Sequence, residues 1–192
     1  DIPLCSLESS DPLYEFDMVA FSIQYELCYT TLVNMLELGK VKLLASERGD
    51  GDPLVICGGP CAYNGEPLAD FVDLFIIGEG EEVNIELTEL YIEHKKAGYS
   101  KEKFLREASH IKGIYVPSLY DVDYNADGTI SRFEPKYPDV PEKVQKRIVE
   151  DMDKAPYPEK FIVPFIQTVQ DRITLEVYRG CIRGCRFCQA GS

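Results

Sequence analysis

No apolar run in the chain approaches the ~20 residues that a helix needs to cross a bilayer, and residues 1–10 lack the basic and then apolar segments of a secretory leader. Membrane insertion and export are therefore not expected, and the chain reads as cytosolic. Basic residues are scarce: 20 Lys and Arg face 33 Asp and Glu, for a formal charge of −13. Such a surface repels phosphate backbones and anionic lipid, so neither nucleic acid nor a membrane is an expected partner. The two histidines, His94 and His110, read as solvated or hydrogen-bonded helix-end residues. Seven cysteines, an odd number with three crowded into residues 181–188, do not make a secreted disulfide framework and fit a reducing compartment, where thiols are free to bind metal. There is no start Met, and the chain stops four residues after its last cysteine. It reads as an excised fragment that is inactive by itself, with Cys181 to Cys188 frayed at its end.

What is present is an ordinary globular composition, 45% hydrophobic and 28% charged over 192 residues, enough for one buried core and a smaller appendage. Residues 17–23, 53–57 and 71–77 are short, nearly continuous apolar runs of the kind that form strands buried on both faces. Between and after them, residues 29–38, 81–96 and 101–108 carry helical spacing. Strand and helix alternate, which predicts an α/β fold: a doubly wound, Rossmann-like parallel sheet over residues 1–110. In such sheets ligands settle beyond the carboxyl ends of the strands. That rule selects three loops as a candidate pocket, with Ser22 and Gln24, Gly58 and Gly59, and Gly78, Glu79 and Gly80 as cofactor-binding candidates. The plainer use of those glycines is to turn the chain, and of Glu79, Glu81 and Glu82 to complement a helix dipole.

Residues 111–170 read as a connector. Its first part predicts a β-hairpin turning at Asn125–Gly128, followed by a proline-rich stretch with a short surface helix over residues 142–152. Asp123 to Glu134 matches the twelve-residue calcium loop of an EF-hand, but extended residues precede it and Pro135 follows it, so a hairpin is the better reading. Cys57 and Cys61 could in principle join Cys28 in a metal site, but cysteine is commonly a small buried apolar residue in a core strand such as 54–57, and the structural reading is favoured. Residues 172–177 alternate like a strand and lead into the final segment, 171–192.

That segment carries Cys181-Ile-Arg-Gly-Cys185-Arg-Phe-Cys188, three thiols in a loop made supple by Gly180 and Gly184. Structural zinc asks for four protein ligands, whereas an iron-sulfur cluster held by three leaves one iron open. The pattern, with Phe187 before the third cysteine and a strand ahead of the first, resembles the first strand and cluster loop of the radical S-adenosylmethionine (SAM) barrel. Asp17-Met-Val-Ala-Phe-Ser, Cys57-Gly-Gly-Pro, Val72 to Glu81 and Ile111-Lys-Gly-Ile-Tyr resemble successive blocks of radical SAM proteins with an N-terminal cobalamin-binding-like domain. Ser6-Leu-Glu-Ser, Gln24 to Thr30 and Gly59 to Asp70 resemble a bacterial subfamily of that kind.

The resemblance implies a [4Fe-4S] cluster on Cys181, Cys185 and Cys188 and SAM at the open iron. An electron from the cluster then yields a 5'-deoxyadenosyl radical that acts on an unnamed substrate. It also implies an electron donor such as flavodoxin or ferredoxin. Cobalamin stays open, because neither His94 nor His110 lies in the Asp-x-His-x-x-Gly motif that supplies an axial histidine in many such domains. Methyl transfer and tRNA modification are both compatible with the sequence. The competing reading is a non-catalytic α/β scaffold that binds no cobalamin, with the cysteines in a zinc site.

Overall fold

A computed structural model describes residues 2–160, 169, 172 and 175–188. The chain divides into two compact units, Asp1–Pro156 and Tyr157–Ser192. In the first, a four-stranded sheet runs in the order β1 (Met18–Ser22), β2 (Leu54–Gly58), β3 (Leu74–Ile76), β4 (Ile114–Tyr115). Leu54 to Cys57 of β2 are all buried, which is why that strand reads as an unbroken apolar run; β1, at the sheet edge, alternates instead. β1 pairs parallel with β2 from Met18 opposite Leu54 to Ser22 opposite Gly58, and β2 pairs parallel with β3.

The expected all-parallel, doubly wound sheet is corrected at β4, which runs antiparallel to β3 with Phe75 opposite Tyr115. The strand order also follows the chain order without the reversal that marks a doubly wound sheet. The reason is the connection. One helix would deliver the chain to the far end of the sheet, but two helices in succession follow β3, α2 (Gly80–Ala97) and α3 (Lys101–Ala108). Gly98, in the left-handed region at φ +93°, ends the first and lets the second turn back. The chain therefore returns to the end it left, where Ile77 donates its N–H to the Gly113 carbonyl at 2.7 Å, and β4 must run the other way.

A third helix, α1 (Tyr29–Leu38), crosses between β1 and β2 and buries Leu32 and Leu36. Phe75, Phe104, Leu36, Leu54 and Leu74 are the largest fully buried side chains. Tyr91 and His94 of α2 meet the Phe104 ring of α3 edge-on, at centroid distances of 5.4 and 5.6 Å. Beneath this core lies a buried ion pair. Arg48 Nε donates to Asp73 Oδ2 at 2.9 Å, and the Lys101 ammonium stands 2.7 Å from Asp73 Oδ1.

β5 (Tyr120–Tyr124) and β6 (Ile130–Pro135) form the expected hairpin. Its turn closes through Asn125 N–H on the Thr129 carbonyl at 2.8 Å, with Asp127 Oδ1 accepting from Thr129 N–H at 3.0 Å. Asp123 pairs with Arg132 across the strands at 2.8 Å, so the EF-hand spacing is spent on a turn. The helix expected over residues 142–152 is absent; that stretch is irregular, with bends, a turn and a single bridge at Arg147. Among the described residues no helix is long and apolar enough to cross a membrane.

In the second unit, Ile173 and Thr174 of the expected strand lie outside the described residues, and Leu175 to Val177 take no strand pairing. Arg179 pairs with Glu176 at 2.8 Å ahead of the cysteine loop.

Candidate functional site

The carboxyl ends of β1 and β2 bring the first two candidate loops together. Ile23 N–H donates to the Gly58 carbonyl at 2.7 Å, and Cys61 N–H returns to the Ile23 carbonyl at 3.0 Å. Gln24 Nε2 donates to Ser22 Oγ at 2.8 Å, so these side chains bond each other at the mouth of the edge. Gly59 sits at φ +90°, and a Cβ there would lie 2.8 Å from the Ile23 carbonyl oxygen. Glycine is required at that point because two backbones meet, which serves the packing of the loops themselves.

Two cysteines lie under this junction. Cys57 is fully buried in β2, and burial pushes its thiol up to about 12. Burial, and then the nearby Glu26 carboxylate, raise the Cys61 thiol as well. Both stay protonated near neutral pH, as small apolar core residues do. Tyr29, from the start of α1, donates to the Asn64 carbonyl at 2.7 Å and ties the helix to the loop after β2.

The third candidate loop, Gly78–Glu79–Gly80, is already in use. The connector lays Arg147 along it in a parallel bridge to Gly78. Arg147 N–H donates to the Ile77 carbonyl at 2.9 Å and its carbonyl accepts from Glu79 N–H at 3.0 Å. The Glu79 carboxylate accepts from Val149 N–H at 2.5 Å. The Arg147 guanidinium turns onto α2, where it bonds Glu82 at 2.5 and 3.1 Å and Glu86 at 2.6 and 3.1 Å. These bonds, Glu86 first, raise the Arg147 pKa further above its already high value. They also explain the missing helix, since Arg147 and Val149 give their backbone groups to the loop after β3 instead of to a helical turn. Sequence reasoning missed Arg147. The sequence carries no signal for it: Val144 and Ile148, four residues apart, suggest a helix face, and only in the structure does Ile148 stay exposed while Val144 and Val149 pack inward.

A separate cleft of about 610 Å³ opens at the other end of β3, beside Asp70, Asp73, α3 and the hairpin. Both lysines in its wall are consumed internally: Lys101 by the Ala45 and Arg48 carbonyls at 2.8 Å each and by Asp73, and Lys136 by the Ser118 carbonyl at 2.9 Å.

Cys181, Cys185 and Cys188 are all exposed. Gly180 and Gly184 take positive φ, +84° and +62°, and curl the loop, while Cys188 N–H closes a turn on the Cys185 carbonyl at 3.0 Å. Among the described residues no three His, Cys, Asp or Glu side chains are gathered closely enough to hold a metal ion. The donor set is nonetheless right for an iron-sulfur cluster with one open iron: three thiols, four and three residues apart, on a backbone that turns freely. The loop itself supplies three thiols where structural zinc asks for four ligands, and the nearest other cysteine in the sequence is Cys61.

The profile of a family described as radical SAM proteins, N-terminal, matches residues 1–117. An uncharacterized protein of Methanocaldococcus jannaschii is 28% identical over 186 residues, which is 96% of this chain and 32% of that protein. The chain thus spans about a third of the length of this curated relative. No solved structure matches it.

Proposed function

Because the chain belongs to the family of radical SAM N-terminal regions, we propose that it is the front of a radical SAM enzyme whose cluster is held by Cys181, Cys185 and Cys188. The observation that carries this reading is the Cys-x-x-x-Cys-x-x-Cys loop, which follows the matched region in the same chain. Bound there, a [4Fe-4S] cluster would supply an electron to SAM and so a 5'-deoxyadenosyl radical. The chain's own part is to present three thiolates on a loop free to wrap one centre. Gly180 and Gly184 allow the curl, and Arg183 and Arg186, interleaved with the cysteines, offer positive charge beside the anionic thiolates.

The residues do not fit cobalamin in the same way. Neither histidine faces the three loops: His94 bonds Glu107 at 2.9 Å, between α2 and α3, and His110 bonds the Asp139 carbonyl at 2.9 Å. The third loop is filled by the chain itself. The α/β domain therefore acts as a scaffold rather than as a corrinoid carrier.

Anaerobic reconstitution with iron and sulfide tests the cluster. The expected product carries about four iron and four sulfide per chain, and Ala at any one of Cys181, Cys185 or Cys188 sharply lowers the yield. Ala at Cys57 or Cys61 leaves the yield unchanged. Equal yields with all three loop cysteines replaced would overturn the assignment, and zinc retained in place of iron would support a structural site.

A further inference from the structure

The edge where a sheet of this class takes its ligand has been built around residue 147. Gly78 sits at φ +111°, and an added Cβ would lie 2.7 Å from the Arg147 nitrogen and closer still to its carbonyl oxygen. Gly113, at φ +97°, faces Arg147 from the other side, 2.9 Å from its Cβ by the same construction. Two loops remote in sequence therefore share one partner, and each leaves out a side chain to admit its backbone.

That partner uses the polar groups which the edge would otherwise show a ligand. The Ile77 carbonyl, the Glu79 N–H and the Glu79 carboxylate are each bonded to residues 147–149. The guanidinium reaches over Glu82 and Glu86, one helical turn apart on α2, and satisfies both carboxylates with its rigid fork. Val140 and Val149, on either side, are buried.

We propose that residues 144–149 are a strap that fills, in cis, the ligand edge of the α/β domain, and that Arg147 is the residue that positions it. The edge then fixes the course of the connector and refuses a corrinoid at Gly78–Gly80. This goes beyond the radical SAM reading, and its test reads no iron, so either can fail without the other.

Amide hydrogen exchange followed by NMR on the whole chain is the direct test. In Arg147→Ala the Glu79 and Val149 amides should exchange at least tenfold faster, while Val55 in β2 keeps its rate. Arg147→Lys should recover part of the protection, because a point charge engages one carboxylate where the fork engages two. Gly78→Ala should expose the same two amides by obstructing the strap from the other side. A hydroxocobalamin titration of the unaltered chain should leave the visible spectrum unchanged. The proposal is overturned if Glu79 and Val149 keep their rates in both Arg147→Ala and Gly78→Ala, if Val55 accelerates equally, or if the titration saturates with a spectral shift.

Discussion

Replacing Arg48 by Met probes the buried charge on which the first unit is assembled. Its side chain is 0% exposed and that of Asp73 1%. Beyond the ion pair, Arg48 donates to the Lys42 and Leu43 carbonyls at 2.7 and 2.9 Å and to the Phe71 carbonyl at 2.8 Å. One guanidinium thus ties the segment after α1 to the segment before β3. Asp73 in turn accepts from Val55 N–H at 2.8 Å, at the start of β2.

Breaking a buried pair by removing one partner costs about 3–5 kcal/mol, and here three carbonyls lose their donor as well, each at about 1–3 kcal/mol when left buried. These terms overlap, so a total near 5 kcal/mol is the working figure. At ~2–4 °C per kcal/mol for a domain of this size, thermal unfolding followed by circular dichroism should fall by roughly 10–20 °C. The exposed Arg106–Asp139 pair is the control, and Arg106→Ala should leave the midpoint nearly unchanged. Adding Asp73→Leu to Arg48→Met should not restore stability, because the carbonyls and the Val55 N–H stay unpaired. A loss below ~1 kcal/mol in Arg48→Met, or full recovery in the double variant, would refute the idea that the guanidinium anchors these segments.

Two further outcomes follow from the cysteines. Burial raises the Cys57 thiol to about 12 in the fold, while the unfolded chain ionises near ~8.5. Its contribution is therefore whole below ~8.5 and is lost as pH rises toward 12, with a slope of up to about 1.4 kcal/mol per pH unit. Urea midpoints should fall between pH 8 and pH 10, and Cys57→Ala should flatten that fall; an equal slope in both would contradict it. Iodoacetamide on the native chain at pH 8 should label the exposed Cys28, Cys181, Cys185 and Cys188 first, with Cys57 and Cys61 labelled only on unfolding. Peptide mass spectrometry reads the order, and early labelling of Cys57 would show that β2 is not closed.

Much of the first unit is legible in the sequence because its physics is local. Leu54 to Cys57 read as a buried strand because both faces are covered, and Leu32, Leu36 and their neighbours announce α1 by spacing alone. The hairpin is legible from Asn125, Asp127 and Gly128, whose turn chemistry needs no distant partner. The direction of β4 is not, since Ile114 and Tyr115 are only two residues and their sense depends on how two helices return the chain. Arg147 is hidden for a related reason. Inside a charged stretch it reads as helix surface, and only Gly78, Gly113, Glu82 and Glu86, brought together by the fold, give it a place. The cluster loop shows the converse: its three cysteines are plain in the sequence, and their spacing rather than a preformed cage carries the reading.

Electron paramagnetic resonance of the reduced protein, expressed from its whole gene and purified without oxygen, reads the cluster and its open iron together. A [4Fe-4S] signal is expected that shifts when SAM is added, because three thiolates leave one iron for the amino and carboxylate groups of SAM, and that disappears when Cys181, Cys185 and Cys188 are replaced. An iron-free protein, or a cluster signal indifferent to SAM, would contradict it.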